Sequence, residues 1–353
     1  MGKVIGIDLG DRRSHYCVLN EDGIVIEEGA VQSTPAAFSK QFAIFESCRI
    51  AVEVCAHSRW ASRVLSECGH DVIVANTVRL HLIHKSSRKS HRVDACSLAR
   101  LVRVDPQLLG PVQHRNEEEQ NALAVIRVRD LMVRTRARLI NCVRGMVKAT
   151  GARLPACSAI SFAGYARPAI PEELRPALDP LVEQIQNITN LIKRYNRKIA
   201  NIAVTKYPAT QTLQQIRGVG AVTALGFILT LGNSERFARS RDAGAYLGLR
   251  PRRYQSGESN PQLGICKEGE GFMRRYLVNA AQYILGPFGP DTDLRRWGES
   301  LIARGGRVAK HRAVVAVARK LAVLLHRLWA TGEVYDPLRN SRNKQQIQQL
   351  ASV

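Results

Sequence analysis

The stretch from residue 4 to residue 10, VIGIDLG, constrains the fold of this chain more than any other. Its β-branched side chains alternate with smaller neighbours, which predicts a short buried strand. Asp8 follows at the carboxyl end of that strand, where a sheet opens to ligands. A carboxylate in this position can hold a divalent metal for phosphoryl chemistry or the magnesium of a bound nucleotide. A turn or N-capping Asp is the structural alternative, and the remaining sequence has to distinguish the three.

Length and charge narrow the class of protein. A chain of 353 residues is too long for one ordinary core, so we expect more than one domain. Its formal net charge of +22 favours a polyanionic partner, because Lys and Arg neutralise phosphates and release counterions. We find no secretory signal and no apolar run of membrane-spanning length, and the eight cysteines lack metal-binding spacing. These features predict a cytoplasmic protein with reduced thiols and no membrane contact.

The first 110 residues have the pattern of an α/β domain. Short β-like segments meander at the start and then alternate with helical segments, which predicts a mixed sheet. Thr34 is a candidate helix cap with Pro35 at the first helical position. We therefore place an α/β domain at residues 1–110.

Long helices are predicted for residues 115–205. Apolar residues at alternating steps of three and four define a stripe on each of two helices: Val125, Val128, Met132, Thr135, Leu139, Cys142 and Met146 on the first, and Leu181, Ile185, Ile188, Ile192, Tyr195, Ile199 and Ile202 on the second. The second stripe is almost entirely aliphatic over three heptads, which is typical of a coiled-coil seam. Its partner is either the first helix or another protomer.

We expect residues 206–335 to form a mainly α-helical C-terminal domain and residues 336–353 a polar tail, poorly ordered after Pro337. Gly218 and Gly220 form a G-x-G turn before an apolar helix, which can present backbone N–H groups to a phosphate or serve as an ordinary helix–helix turn. A basic loop with Gly and Pro follows at 250–267, and the closing helix from residue 307 to residue 329 has a basic face.

Three further residues suit the chemistry that Asp8 suggests. Glu53 lies in an apolar strand, where a carboxylate is costly unless it is paired or bound to a cation. His91 and Asp94, three residues apart on a basic helix, share one face. With Asp8 they make an oxygen-rich set with one nitrogen, which suits Mg²⁺ or Mn²⁺. Alternatively, Glu53 is an edge-strand charge, Asp94 a salt-bridge partner of Arg92, and His91 a surface residue.

The motifs at these positions resemble those of one family. The N-terminal third resembles the RuvC-like, ribonuclease H-fold domain of DEDD-type insertion-sequence transposases, the Piv-like group. The matching segments are GIDLG at 6–10, AVEVCAH at 51–57 and KSHRVDACSLARL at 89–101. The C-terminal domain resembles the same family's serine transposase domain through the segments at 216–232, 236–257 and 264–281.

The resemblance implies a set of site residues, with two departures. It makes Asp8, Glu53 and Asp94 catalytic metal ligands, and His91 stands where the family has its third acidic residue. The family's nucleophilic serine maps onto Ser256 in QSG, because Cys266 replaces the Ser or Thr that usually precedes Lys267. Ser256 is otherwise a turn residue before glycine. Nucleic-acid contacts are expected at the basic and glycine positions of the matched motifs: Arg88, Lys89, Arg92, Gly218, Gly220, Arg252, Arg253 and Lys267.

The resemblance also implies an activity and partners. It implies a recombinase of a bacterial mobile element that cuts and rejoins DNA through a covalent phosphoserine, assisted by Mg²⁺ or Mn²⁺. It further implies donor and target DNA and a structured guide RNA as partners, and a nucleoid-associated location. Exchange of two duplexes leads us to expect a dimer or tetramer.

Other functions remain open from the residues alone. A metal-only, RuvC-like junction-resolving nuclease would need only the first domain. A nucleic-acid-binding protein with an impaired site is the alternative that His91 keeps open. GIDLG also begins the phosphate hairpin of actin-like kinases, but we find neither the second glycine-rich loop nor the second Asp-x-Gly that those folds need.

Overall fold

The computed structural model describes residues 2–76, 90–252, 254–257, 259, 261, 263–267 and 269–342. The chain divides into two compact units, Met1–Arg115 and Asn116–Val353. Three of the predicted nucleic-acid contacts, Arg88, Lys89 and Arg253, lie outside the described residues. No helix in the described part of the chain is long and apolar enough to cross a membrane.

A five-stranded mixed sheet forms the centre of the first unit, as predicted. Its strands lie in the order β3-β2-β1-β4-β5. β1 pairs antiparallel with β2 and parallel with β4, while β2–β3 is antiparallel and β4–β5 parallel. The strand bounds are β1 Val4–Asp8, β2 Arg13–Leu19, β3 Val25–Gln32, β4 Arg49–Glu53 and β5 Asp71–Ala75.

Helices cover both faces of this sheet. Ile5 and Ile7 pack with α1 (Pro35–Phe42) and α2 (Ser58–Glu67) on one face. Val4 and Ala51 pack with α3 (His91–Val104) on the other. Because side chains alternate along a strand, Asp8 shares the α3 face with Val4 and Gly6.

The start of α3 is set by a cap and by a glycine. The side chain of Ser90 accepts a hydrogen bond from the backbone N of Val93, so the helix begins at His91. A Cβ on Gly6 would lie 2.1 Å from the carbonyl oxygen of Ala95. The helix therefore crosses β1 at a distance that only glycine allows, which places its first turn beside the end of the strand.

The second unit is helical in its described part, apart from short turns and one two-stranded projection. Its helices are α4 Glu117–Ala149, α5 Phe162–Ala166, α6 Arg175–Lys206, α7 Ala209–Gln214, α8 Ala221–Leu231, α9 Ser240–Tyr246, α10 Gly271–Ile284, α11 Asp293–Ala303 and α12 Ala309–Thr331. Every residue of α8 from Thr223 onward is buried, and α4, α6, α10 and α12 contribute to the same core. The long helices thus fold together with the C-terminal helices in one unit.

The long helices α4 and α6 pack against each other within the unit. The stripe predicted for α4 is wrong by one position, because the buried face carries Ile126, Ile140, Val143 and Val147, while Met146 is exposed. One residue is a 100° rotation on a helix. The error arose because the true face also buries Asp130 and Arg136, which a search for apolar residues passes over.

On α6 the predicted stripe is half right. Ile185, Ile192 and Ile199 are buried as expected, but the alternate positions, such as Leu181 and Ile188, are only half-buried. Leu178, Val182 and Ala203 are buried in their place. The helix also starts six residues before the predicted seam. Pro176 lies in its first turn, where proline is tolerated, and Pro180 lies inside the helix.

The beginning of the polar tail is ordered against α11. Asp293 accepts hydrogen bonds from the backbone N atoms of Asn340 and Ser341, at 2.6 and 3.2 Å. Arg342 forms an ion pair with Asp336 at 3.1 Å. The expectation of a poorly ordered tail after residue 337 is therefore wrong for residues 338–342.

Candidate functional site

Two predicted ligands lie at the carboxyl edge of the sheet in the first unit. Asp8 and Glu53 are the last residues of β1 and β4, which run parallel. The register pairs Ile7 with Val52, so the two carboxylates follow at adjacent positions. The Asp8 side chain is 14% exposed. Neighbouring carboxylates at a strand edge are a ligand arrangement that hard divalent cations prefer.

The first turn of α3 brings the other two predicted ligands to the same face. His91 Nδ1 donates a hydrogen bond to Asp8 Oδ2 at 2.7 Å. A ring oriented through Nδ1 presents Nε2 as the free ligand atom when it is neutral, and a carboxylate is the usual partner that orients a metal-ligating histidine. Asp94 is buried in this first turn, where the helix dipole favours negative charge.

His15 also belongs to this site, although the sequence analysis did not select it. It lies directly opposite Asp8 in the β1–β2 register, and its ring stacks on His91 with centroids 5.5 Å apart and planes 9° from parallel. The signal was available, because the hairpin register places residue 15 across from residue 8. It was missed because a histidine at the start of a strand has no motif of its own.

A second acid–histidine pair lies beyond the ends of the same strands. His57 Nε2 is 3.6 Å from Asp11 Oδ1, and Trp60 Nε1 donates to His57 Nδ1 at 3.1 Å. Since Nδ1 accepts, Nε2 carries the proton of the neutral ring and points toward Asp11. His57 was inside the matched AVEVCAH segment but had been given no role.

The donor set fits a divalent metal by its chemistry. It comprises the carboxylates of Asp8 and Glu53 at the strand ends, and Asp94 and His91 in the first turn of α3, where His91 is already oriented by Asp8. Within the described residues, no three His, Cys, Asp or Glu side chains converge closely enough to hold one ion. Asp8 and His91 are in direct contact, Glu53 ends the neighbouring strand β4, and Asp94 lies buried in the first turn of α3.

Arg92, a predicted nucleic-acid contact, forms an ion pair within the first unit. Its Nε donates to Glu28 Oε2 on β3 at 2.6 Å. This hydrogen bond lowers the pKa of Glu28 and raises that of Arg92. The structure thus pairs Arg92 with Glu28 and not with Asp94, the alternative partner considered from the sequence.

Ser256 lies in the second unit, at the tip of a two-stranded projection. Backbone hydrogen bonds join Arg252 N to Gly264 O and Cys266 N to Arg250 O, which makes the loop after α9 an antiparallel pair. At the tip, Ser256 and Ser259 exchange both backbone hydrogen bonds, at 3.2 and 3.0 Å. Ser256 is exposed, so its hydroxyl is accessible from solvent.

Two backbone conformations shape this projection. Gly257, the first residue of the turn, has a φ of +56°, which turns of tight hairpins require and glycine adopts without strain. Lys267, at the base, has a φ of +60° and is the only described residue other than glycine in this region. Such strain at a non-glycine residue is typical of functional sites. Arg252 and Lys267 are both exposed on the projection.

The two glycines of the G-x-G turn have different roles. Gly218 has a φ of +97°, and a Cβ there would lie 2.9 Å from the Tyr283 ring. Glycine is therefore required at position 218 by the backbone conformation and by close packing against α10. Gly220 is the N-terminal cap residue of α8, is exposed, and has open space where a Cβ would be. Of the pair, Gly220 is the one whose surroundings leave room for a ligand.

Comparisons with known proteins match both units. A DEDD transposase family of IS110 type matches residues 5–151, and the transposase IS116/IS110/IS902 family matches residues 210–292. The solved structure of Thermus thermophilus RuvC is similar over 29% of this chain and 96% of that chain, with 16% identity and a TM-score of 0.24.

Curated relatives align over nearly the full length. The transposase for insertion sequence element IS1111A of Coxiella burnetii is 28% identical, covering 94% of this chain and 91% of that protein. The transposase for insertion sequence element IS1328 of Yersinia enterocolitica is 27% identical, covering 94% and 98%. Two family matches in this order, with relatives of the same kind across both units, lead to one conclusion. The chain is a DNA transposase that carries the domains of IS110/IS116-type DEDD transposases of insertion sequences.

Proposed function

We propose that this transposase cuts and rejoins DNA through Ser256, with a divalent metal held by Asp8, Glu53, His91 and Asp94. The observation that carries the proposal is the direct Asp8–His91 hydrogen bond at the carboxyl edge of the sheet. The hydrogen bond holds the ring of His91 in one orientation, which supports a ligand role for the histidine in the third acidic position. An impaired site therefore has less support than an active one.

The metal would be Mg²⁺ or Mn²⁺. Oxygen ligands suit both ions, and the single imidazole is better tolerated by Mn²⁺. When bound, the ion supplies positive charge that stabilises the phosphate oxygens during transfer. The protein's own contribution is to hold three carboxylates and one oriented imidazole on rigid elements, two strand ends and a capped helix start.

Ser256 would act as the nucleophile. Its hydroxyl oxygen bonds to the phosphorus while the hydroxyl proton is lost, and the bond from phosphorus to one DNA oxygen breaks, leaving a protonated DNA hydroxyl. A hydroxyl of the second DNA strand then attacks the phosphoserine and restores Ser256. The exposed tip supports this role, because the hydroxyl can reach a phosphate and Lys267 and Arg252 lie exposed on the same projection.

The proposed partners are donor and target DNA and a structured guide RNA, acting on a dimer or tetramer of the protein. The net charge of +22 supports polyanionic partners of either kind. Treatment of the purified protein with ribonuclease tests the RNA requirement: recombination should stop and return when the RNA transcribed from the element's non-coding end is added. Light scattering of the complex measures the oligomer.

The covalent step can be tested on denaturing gels. The wild-type protein, incubated with element-end DNA, Mg²⁺ and the guide RNA, should yield a protein–DNA adduct that survives denaturation, and Ser256→Ala should yield none. Ser259→Ala is the matched control, since Ser259 is the exposed bridge partner of Ser256. Adduct formation by Ser256→Ala would exclude this nucleophile. Cleavage without any adduct would favour the metal-only nuclease.

A further inference from the structure

A basic segment connects α11 to α12, beyond residues 210–292, the part that the C-terminal family match covers. From residue 300 to residue 332 the sequence contains seven Lys or Arg residues and no Asp or Glu. The closing helix carries the basic face that its sequence predicts, but the proposed chemistry does not use this face. The positive charge of residues 300–332 therefore has no role in the proposed chemistry.

Four of these cations form what we call the junction cluster: Arg304, Arg307, Lys310 and Arg312. All four are exposed, and in the described part of the chain none lies within 4 Å of a carboxylate. Other arginines nearby are paired: Arg296 with Asp291, and Arg327 and Arg339 with Glu333. The fold thus pairs these three arginines and leaves the junction cluster without an ion pair in the described part of the chain.

The backbone adds to this positive potential. α12 has no side-chain cap and no acidic residue in its first turn, so its positive dipole end is not offset. Gly305 and Gly306, with φ of +78° and +102°, have open space where a Cβ would be, which leaves the backbone accessible. The far part of α12 is anchored in the core through residues such as Leu321 and Leu325. The cluster is therefore presented on a rigid support.

We propose that the junction cluster binds the phosphodiester backbone of a nucleic-acid strand. Exposed Lys and Arg contact phosphates without reading bases, so the contact would add affinity and register but not sequence specificity. The proposal rests on the chain acting on nucleic acid, as the proposed function requires, but not on Ser256 being the nucleophile. Duplex DNA and structured RNA offer the same phosphate chemistry.

A charge-matched pair of variants tests the proposal. The first carries Arg304→Gln, Arg307→Gln, Lys310→Gln and Arg312→Gln. The control carries Arg296→Gln, Arg327→Gln, Arg339→Gln and Arg342→Gln, which removes the same charge from ion-paired positions. Fluorescence anisotropy measures Kd for a random-sequence duplex DNA and for an RNA hairpin at several salt concentrations.

We expect the cluster variant to bind the DNA, the RNA or both at least about tenfold more weakly, with a salt slope smaller in magnitude by about 2–4. The control should keep the wild-type slope. Equal slopes for the cluster variant and the control on both probes would overturn the proposal. The double variant Lys310→Gln, Arg312→Gln replaces the fourfold one if circular dichroism shows unfolding. Adduct formation by Ser256 is a separate readout, so failure here would leave the proposed chemistry untouched.

Discussion

At the scale of single residues, the proposed metal site depends on which atoms each side chain leaves available. Asp8 accepts a hydrogen bond from His91 through one carboxylate oxygen, and the ring of His15 stacks on the ring of His91. The imidazole is thus held by a hydrogen bond and by a ring face. Because these two contacts already restrict the rotamers of His91, less side-chain entropy would be lost when His91 binds a metal ion, which favours binding.

The first prediction concerns the strand-end carboxylates. Asp8→Asn and Glu53→Gln should each lower strand transfer by at least about a hundredfold, because each removes a charged oxygen ligand. Asp71→Asn is the control, since Asp71 begins β5 at the opposite edge of the sheet. Strand transfer by purified variants, with DNA binding measured alongside, gives the comparison. Full activity in Asp8→Asn would exclude Asp8 as a ligand.

The second prediction concerns His15. His15→Ala should reduce strand transfer by about 10–100-fold, because removing the stacked ring leaves His91 less well oriented. His15→Phe keeps a flat ring at the same place and should recover most of the activity. A loss of equal size in both variants would instead mean that the imidazole nitrogens of His15 act directly. No loss in either would remove His15 from the site.

The third prediction separates strain from charge at Lys267. Lys267→Gly should raise the free energy of unfolding by up to about 1 kcal/mol, because glycine adopts the positive φ without steric cost. It should also lower activity through loss of the cation. Lys267→Ala loses the cation but keeps the strain, so its stability in urea denaturation should stay near that of the wild type. Destabilisation by Lys267→Gly would contradict this account.

At the scale of elements, the contact between α3 and β1 positions half of the proposed metal site. The helix carries His91 and Asp94, and its approach depends on Gly6. Sequence patterns predicted the strand and the helix separately, because alternation and helical spacing are local signals. They could not predict the close crossing of α3 over β1, because this crossing is a tertiary contact between residues that are far apart in the sequence.

The fourth prediction tests this crossing. Gly6→Ala should lower the free energy of unfolding by about 1–3 kcal/mol, because the added methyl would push α3 away from β1. It should also lower activity by displacing His91 and Asp94. Gly145→Ala is the control, since Gly145 lies exposed within α4 with open space around it, and alanine there should stabilise by about 0.5–1 kcal/mol. Urea denaturation measures both, and a neutral Gly6→Ala would contradict the packing argument.

The long helices show where element prediction failed and why. Apolar periodicity correctly predicted that α4 and α6 would be long helices, but it placed the buried face of α4 one residue too early. Asp130 is buried on that face because Arg134 and Arg275 pair with it, at 3.1 and 2.7 Å. Arg275 is distant in sequence, so no local pattern could have indicated that this charge is buried.

At the scale of the whole molecule, the chain combines two units with different parts of the proposed chemistry. The mixed sheet of the first unit followed from the sequence, and the proposed ligands Asp8 and Glu53 could be selected because strand-end carboxylates have a recognisable pattern. In the second unit, the helices were predicted, but the register that puts Ser256 at the tip opposite Ser259 was not. Hairpin register depends on turn geometry, and the motif showed only that a Ser precedes a Gly.

Some of the basic side chains that give the chain its positive charge form ion pairs with carboxylates, and others are exposed without an ion pair in the described residues. Arg92, Arg296 and Arg327 are held by carboxylates of their own unit, whereas the junction cluster is not. Composition alone could predict a polyanionic partner but could not locate its surface. The junction cluster, which has no ion pair within the described residues, is the surface that we propose for such a partner, and it is separate from the residues proposed for catalysis.

The central claim is that Ser256 becomes covalently bound to DNA, and peptide mapping of the trapped adduct tests it most directly. After nuclease treatment and trypsin digestion, the peptide spanning residues 254–267 contains Ser256, Ser259 and Tyr254 as possible attachment points. Fragmentation by mass spectrometry should place the residual nucleotide on Ser256. A nucleotide on Ser259, on Tyr254 or on a different peptide would contradict the account.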